Sequence, residues 1–244
     1  MLTRLGPRDL ASLAGVGRGC AAAVAATALM QWAKNEKTHP PRRLSTYEIL
    51  PRLCLREACS LATRGGHLEV LKWLHNTGCQ WNSATCRATA EGGHLATLKW
   101  LHNTGCPWDE DTGAAAAAGG RLEMLRWMHS TGYQLPSDTR DAAAVAGRLE
   151  VLQWLHDTGC PRGESTCRAA AAGGHLEVLK WLHNTGCPWG EWTCAGAAIG
   201  GHLASLQWAR QHHCPWNEAT IRAHATHGRR HVDMLRWLDE QGVP

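Results

Sequence analysis

The 244-residue chain contains no phenylalanine and only two tyrosines, yet it carries thirteen tryptophans. Copying a single Trp-rich unit would produce that imbalance. Long hydrophobic runs are also missing: none approaches the roughly 18 apolar residues of a membrane-spanning helix, so a membrane protein is not expected. Neither sign of charge dominates. A net charge of +4 and a pI near 8.5 are too mild to indicate a nucleic-acid partner by themselves. Outside the repeated units there is no Ser-His-Asp pattern, no paired acids and no phosphate-binding loop, so no enzyme is expected. Hydrophobic residues make up 44% and charged residues 19%, the composition of a soluble, core-forming chain. The eleven cysteines are too many and too odd a number for a small secreted disulfide framework. They read as reduced thiols of a cytoplasmic or nuclear protein.

One sentence is written over and over. Gly65–Cys79 and Gly173–Cys187 share fifteen letters in identical order, and close variants begin at Gly92, Gly119 and Gly200. Glycines at 66, 93, 120, 147, 174, 201 and 228 are each 27 residues apart, and a strict period of that size indicates stacked repeats. Each unit divides into two helices. Asn82, Asp109 and Asn217 can cap a first, Ala-rich helix that stops at a Gly pair. The second helix spreads Leu68, Val70, Leu71, Trp73 and Leu74 over a wide apolar arc, with Glu69, Lys72 and Asn76 on the polar side. Gly78, Gly105, Gly132, Gly159 and Gly186 stand where a left-handed residue closes the helix. Such pairs cannot bury their own apolar faces and must stack on their neighbours. The expected fold is all-α: a solenoid of about seven helix pairs over residues 46–244, with little or no β-hairpin.

Thr166–Gly186, reading TCRAAAAGGHLEVLKWLHNTG, resembles an ankyrin repeat, and the likeness extends over about Leu55–Val243. Here Thr-Cys-Arg-Ala stands where that family has Thr-Pro-Leu-His, and the unit is shortened as though the hairpin finger were missing. The resemblance implies a stack of helix pairs that binds a protein partner along the concave face lined by first helices.

Recurring Cys and His, such as His75 with Cys79 and His183 with Cys187, invite a metal reading, and a thiol- or metal-handling protein is the alternative function. Zinc needs four ligands around one point. Equivalent residues of adjacent repeats are about 10 Å apart, too far for a zinc site or a disulfide ladder. Packing is therefore expected of the Cys and Trp columns, with no metal and no cofactor. His67, His94, His175 and His202 follow the inter-helix Gly and are expected to bond neighbouring backbone, with Arg121 and Arg148 replacing them elsewhere.

A partner should meet positions where the copies differ. The columns through Ala84, Arg87 and Glu91 vary while the Thr85 column is constant, and together they make one stripe on the first helix. The stripe reads either as a tolerant solvent face or as a binding face. If it binds, the candidates are Arg87, Glu91, Asp111, Asp138, Asp141, Arg168, Trp192 and Arg222. Trp192 leads them as a large apolar residue in an otherwise small or polar column.

Residues 1–33 fall outside the period. Leu2, Leu5, Pro7, Arg8, Asp9, Leu10, Leu13, Val16, Arg18, Leu29 and Trp32 resemble the latter part of an F-box. That resemblance implies a grip on the adaptor of a cullin-type ubiquitin ligase through Pro7, Arg8, Asp9, Leu10, Leu13 and Val16, with the repeats presenting a substrate protein. Residues 34–45 read as an exposed linker.

Overall fold

A computed structural model describes residues 59–76, 78–227 and 232–240, and among them every regular element is an α-helix. The F-box-like residues 1–33 and the linker 34–45 lie outside the described residues. One compact unit ends at Trp108 and a second begins at Asp109. In the first, helical residues 59–64 precede α1 (Leu68–Asn76), α2 (Ser83–Gly92) and α3 (Leu95–Asn103). The second contains α4 (Glu110–Ala118), α5 (Leu122–Ser130), α6 (Ser137–Val145), α7 (Leu149–Asp157), α8 (Glu164–Ala172), α9 (Leu176–Asn184), α10 (Glu191–Gly200), α11 (Leu203–Gln211), α12 (Glu218–His227) and α13 (Val232–Glu240). Each first helix packs on the helix that follows it: α2 on α3, α4 on α5, and so on to α12 on α13.

Local chemistry starts each first helix. Asn82 Oδ1 accepts the Thr85 N–H at 3.2 Å, and the Asn82 N–H reaches back to Thr85 Oγ1 at 3.4 Å. This reciprocal box satisfies two of the donors that a helix start leaves unpaired. Asp109 and Thr112 repeat the backward bond at 3.4 Å, and Thr193 does so for Gly190, which has no side chain to contribute. The constant Thr column is thus the third residue of each first helix, placed to cap it. Pro136 occupies the cap of α6 and has no N–H to give, and the Thr139 hydroxyl there is buried without a partner.

Left-handed glycines stop the helices. Gly93 has φ 84° and closes α2, and the N–H of His94 returns to Thr89 O at 3.2 Å. Gly105 has φ 78° and closes α3, and the Cys106 N–H returns to Leu101 O at 2.9 Å. After α11 the same role falls to His213, with φ 62°. A side chain in that region costs about 1–2 kcal/mol. His213→Gly is therefore expected to raise stability by up to about 1 kcal/mol, less whatever glycine adds to unfolded-chain entropy. Thermal melting of the two chains checks it.

The core consists of leucines from second helices against alanines from first helices. In the first unit Cys59, Ala62, Val70, Leu71 and Leu74 form the cluster, with Trp73, Trp81 and Trp100 packed on it. In the second, Leu125, Leu152, Leu155, Leu179, Leu182 and Leu206 are buried, as are Ala116, Ala143, Ala170 and Ala197. First helices stand side by side, α4 with α6, α6 with α8, α8 with α10 and α10 with α12. They come so close that a Cβ on Gly196 would lie 2.7 Å from Arg168 O, which explains the one Gly in an alanine column.

The residue after each inter-helix Gly ties one repeat to the previous one. His94 Nε2 is 2.8 Å from Arg64 O, and His175 Nε2 is 3.1 Å from Val145 O. Arg148, standing in the histidine column, donates from Nε to Ala118 O at 2.9 Å. His94, His175 and Arg148 thus make the expected backbone bond.

The Trp columns depart from the packing expectation. They are half-buried at the rim, where indoles meet the imidazoles of second helices. His75 stacks on Trp81 at 5.1 Å, His156 meets Trp181 edge-on at 5.8 Å, and His183 is 4.1 Å from Trp189. An indole is too large to sit entirely behind a nine-residue helix, so part of each ring stays accessible.

Candidate interaction surface

First helices present their outer stripe to solvent, and the structure shows which of its residues lie at the surface. In the first unit Arg87 and Glu91 are both exposed on α2. In the second, Asp111 (α4), Asp138 (α6), Arg168 (α8) and Trp192 (α10) are exposed. Because the helices of the second unit are neighbours, their side chains form one row. Asp141 and Arg222 are engaged within the protein. Asp141 accepts the Thr166 hydroxyl at 2.7 Å and so joins α6 to α8. The Arg222 guanidinium is 2.7 Å from Asp239 on α13 and 3.5 Å from Glu218 on its own helix. These carboxylates hold it protonated beyond the usual arginine range, Asp239 having the larger effect.

The same row holds two apolar residues that the candidate set omitted. Val145 is 47% exposed at the end of α6 and Ile199 is 54% exposed at the end of α10, beside Trp192 at 51%. Ile199 follows Trp192 by seven residues, two helical turns, and therefore lies on the same side of α10. The signal that found Trp192 was present for both, since each is the bulky member of the variable Glu91 column. With Arg168 on α8 between them and Asp138 on α6, the second unit exposes both apolar and charged side chains along its row of first helices.

The cysteines are arranged differently from the reading of isolated thiols. Comparison of neighbouring repeats suggested sulfurs too far apart to meet. Positions 20 residues apart, however, fold back within one repeat. Cys59 and Cys79 are joined sulfur to sulfur, and the Cys86 thiol is 3.0 Å from Cys106 Sγ. Cys167 with Cys187 and Cys194 with Cys214 are thiol pairs of the same separation. Among the described residues, no group of three or more His, Cys, Asp or Glu could hold a metal ion. None of the described helices is long and apolar enough to cross a membrane.

Comparison with known proteins agrees with this geometry. Residues 141–189 match the family model described as ankyrin repeats in many copies. No curated protein matches the sequence. Among solved structures, the human ASB11 ankyrin repeat domain is 17% identical, with a TM-score of 0.50, covering 64% of this chain and 83% of that one. The maize pentatricopeptide repeat protein PPR10 is 16% identical, covering 98% of this chain and 47% of its own, at a TM-score of 0.39 that is too low to bear on the fold. The described helices thus have the helix-pair fold of ankyrin repeats, and residues 141–189 carry the ankyrin sequence pattern as well.

Proposed function

We propose that this chain is a non-catalytic scaffold that binds another protein across its first-helix face, with Trp192, Ile199 and Val145 as the apolar centre. One observation carries the reading. Large apolar side chains are exposed on a face whose residues vary from repeat to repeat, while the columns that hold the fold stay constant. An indole left 51% exposed costs solubility, which favours a partner that covers it. Arg168, on the helix between Val145 and Trp192, and Asp138 supply orientation. Asp141 and Arg222, being internally paired, contribute less.

The finer reading adds residues 1–33. If their likeness to an F-box is functional, Pro7, Leu10, Leu13 and Val16 attach the scaffold to a cullin-ligase adaptor in the cytoplasm or nucleus, and the captured protein is a substrate for ubiquitination. Nothing in the described residues favours the thiol- or metal-handling alternative over a scaffold.

Affinity purification of the full chain with mass spectrometry tests both layers. Truncating a central Trp of an interface costs about 2 kcal/mol or more, roughly thirtyfold in affinity. Trp192→Ala is therefore expected to lose the partner while keeping the wild-type melting temperature. Unchanged capture by Trp192→Ala and Ile199→Asp chains would remove the first-helix face as the site. Leu10→Asp is expected to lose adaptor and cullin but retain the partner. Absence of ligase subunits from the wild-type sample would end the second layer and leave the first.

A further inference from the structure

We propose that the cysteine pairs Cys86/Cys106, Cys167/Cys187 and Cys194/Cys214 are disulfide-forming sites, one per repeat, that close under a hydroperoxide and staple each repeat's exit loop to its own first helix. Cys59 and Cys79, at the equivalent positions, are already drawn sulfur to sulfur. Cys86 and Cys106 come within 3.0 Å with both residues buried. The first member of each pair is the fourth residue of a first helix, and the second follows the glycine that ends the second helix or, at Cys214, the histidine in its place. This second thiol lies against the backbone at the start of its own repeat's first helix: Cys106 Sγ donates to Asn82 O at 3.5 Å, Cys187 Sγ to Gly163 O at 3.6 Å and Cys214 Sγ to Gly190 O at 3.3 Å.

Packing alone leaves the pattern unexplained. Where the first position loses its sulfur in α4, the second loses it too. Gly113 faces Tyr133, whose hydroxyl fills the space and donates to Asp109 O at 2.8 Å. Small and large residues exchanged in this way pack as well as two thiols, so the space does not demand sulfur on both sides. Cys160 is the exception. It faces the buried Arg140 instead of a thiol, and that guanidinium donates to its carbonyl at 3.2 Å. The donated S–H of Cys86 holds the Cys106 thiol below its usual range, and Cys167 acts likewise on Cys187, whereas burial pushes Cys160 up.

The chemistry balances. The Cys106 thiolate attacks one oxygen of hydrogen peroxide, breaking the O–O bond and releasing hydroxide, which takes up a proton to become water. The resulting sulfenic acid is then attacked at sulfur by Cys86. The S–O bond breaks, the disulfide forms, and the thiol proton leaves with the hydroxyl as a second water. Two thiols are oxidised by two electrons, and one peroxide is reduced to two waters. The Cα atoms of Cys59 and Cys79 are 7.8 Å apart, beyond the roughly 7 Å at which such a bond forms without backbone movement. Closure of the equivalent pairs therefore carries the loop toward the helix, and the products rather than the melting temperature are what to read.

The experiment treats the reduced full chain with hydrogen peroxide under native conditions, traps remaining thiols by alkylation and maps linked peptides by mass spectrometry. The expected products are the three links within repeats, with Cys160 consumed about tenfold more slowly than Cys106. Cys160 oxidised as fast as the pairs, or links that join different repeats, would overturn the proposal. An Arg140→Cys chain is expected to gain a link from position 140 to Cys160. If that chain keeps its helical circular dichroism and Cys160 still stays free, placement within the repeat does not select the partner, which also overturns it.

Discussion

Leu179→Ala is expected to lower the stability of the second unit by about 2–5 kcal/mol, the range for emptying a fully buried leucine site. Leu179 has no exposed surface on α9, which packs on α8 of its own repeat and on α11 of the next. The substitution removes the transfer free energy of the lost carbons and leaves a cavity on α9, which packs on both α8 and α11. Partial collapse of such a site is difficult because α8 is held on its other sides by α6 and α10. In a stack where each repeat is stabilised by its neighbours, a loss in the middle is felt on both sides. Equilibrium urea unfolding reads the change, with a reduced midpoint and a broader transition if the repeats uncouple. A shift under about 1 kcal/mol would mean that this leucine does not join the helix pairs.

Gly147→Ala should cost about 2–4 kcal/mol, from two separable causes. The residue sits at φ 70°, and a methyl group there would collide with the imidazole of His175. That ring cannot move aside without losing its 3.1 Å bond to Val145 O. Gly132 supplies the comparison, since it has φ 88° and nothing within 4 Å of an added Cβ. Gly132→Ala should therefore show the backbone cost alone, about 1–2 kcal/mol. Paired melting curves distinguish the two. Equal losses would mean that glycine at position 147 is a matter of backbone conformation and not of the close approach of the His175 ring.

The binding face and the thiol pairs occupy different parts of each repeat. Trp192 and Ile199 are exposed on α10, while Cys194 on the same helix is buried facing Cys214. A residue two positions along a helix points to a different side, so partner capture and thiol oxidation can be probed separately by Trp192→Ala and by peroxide treatment.

Much of this was legible in the letters because the signals are local. Asn82 and Thr85 are three residues apart, Gly93 and Gly105 each govern their own φ, and the leucines of LEVLKWL declare their face within two turns. A 27-residue period then states that one helix pair is made repeatedly and must stack. What the sequence could not decide depends on groups 17 to 25 residues apart. Asp141 and Arg222 look like solvent-facing charges in a variable column, but Thr166 and Asp239 engage them once neighbouring helices are in place. The tryptophans read as core because they share the leucines' arc, yet only packing determines how much of an indole a short helix can cover. The cysteines read as isolated when copies are compared column by column. The pairing runs within a repeat, because the chain turns back on its own helix start before it moves on.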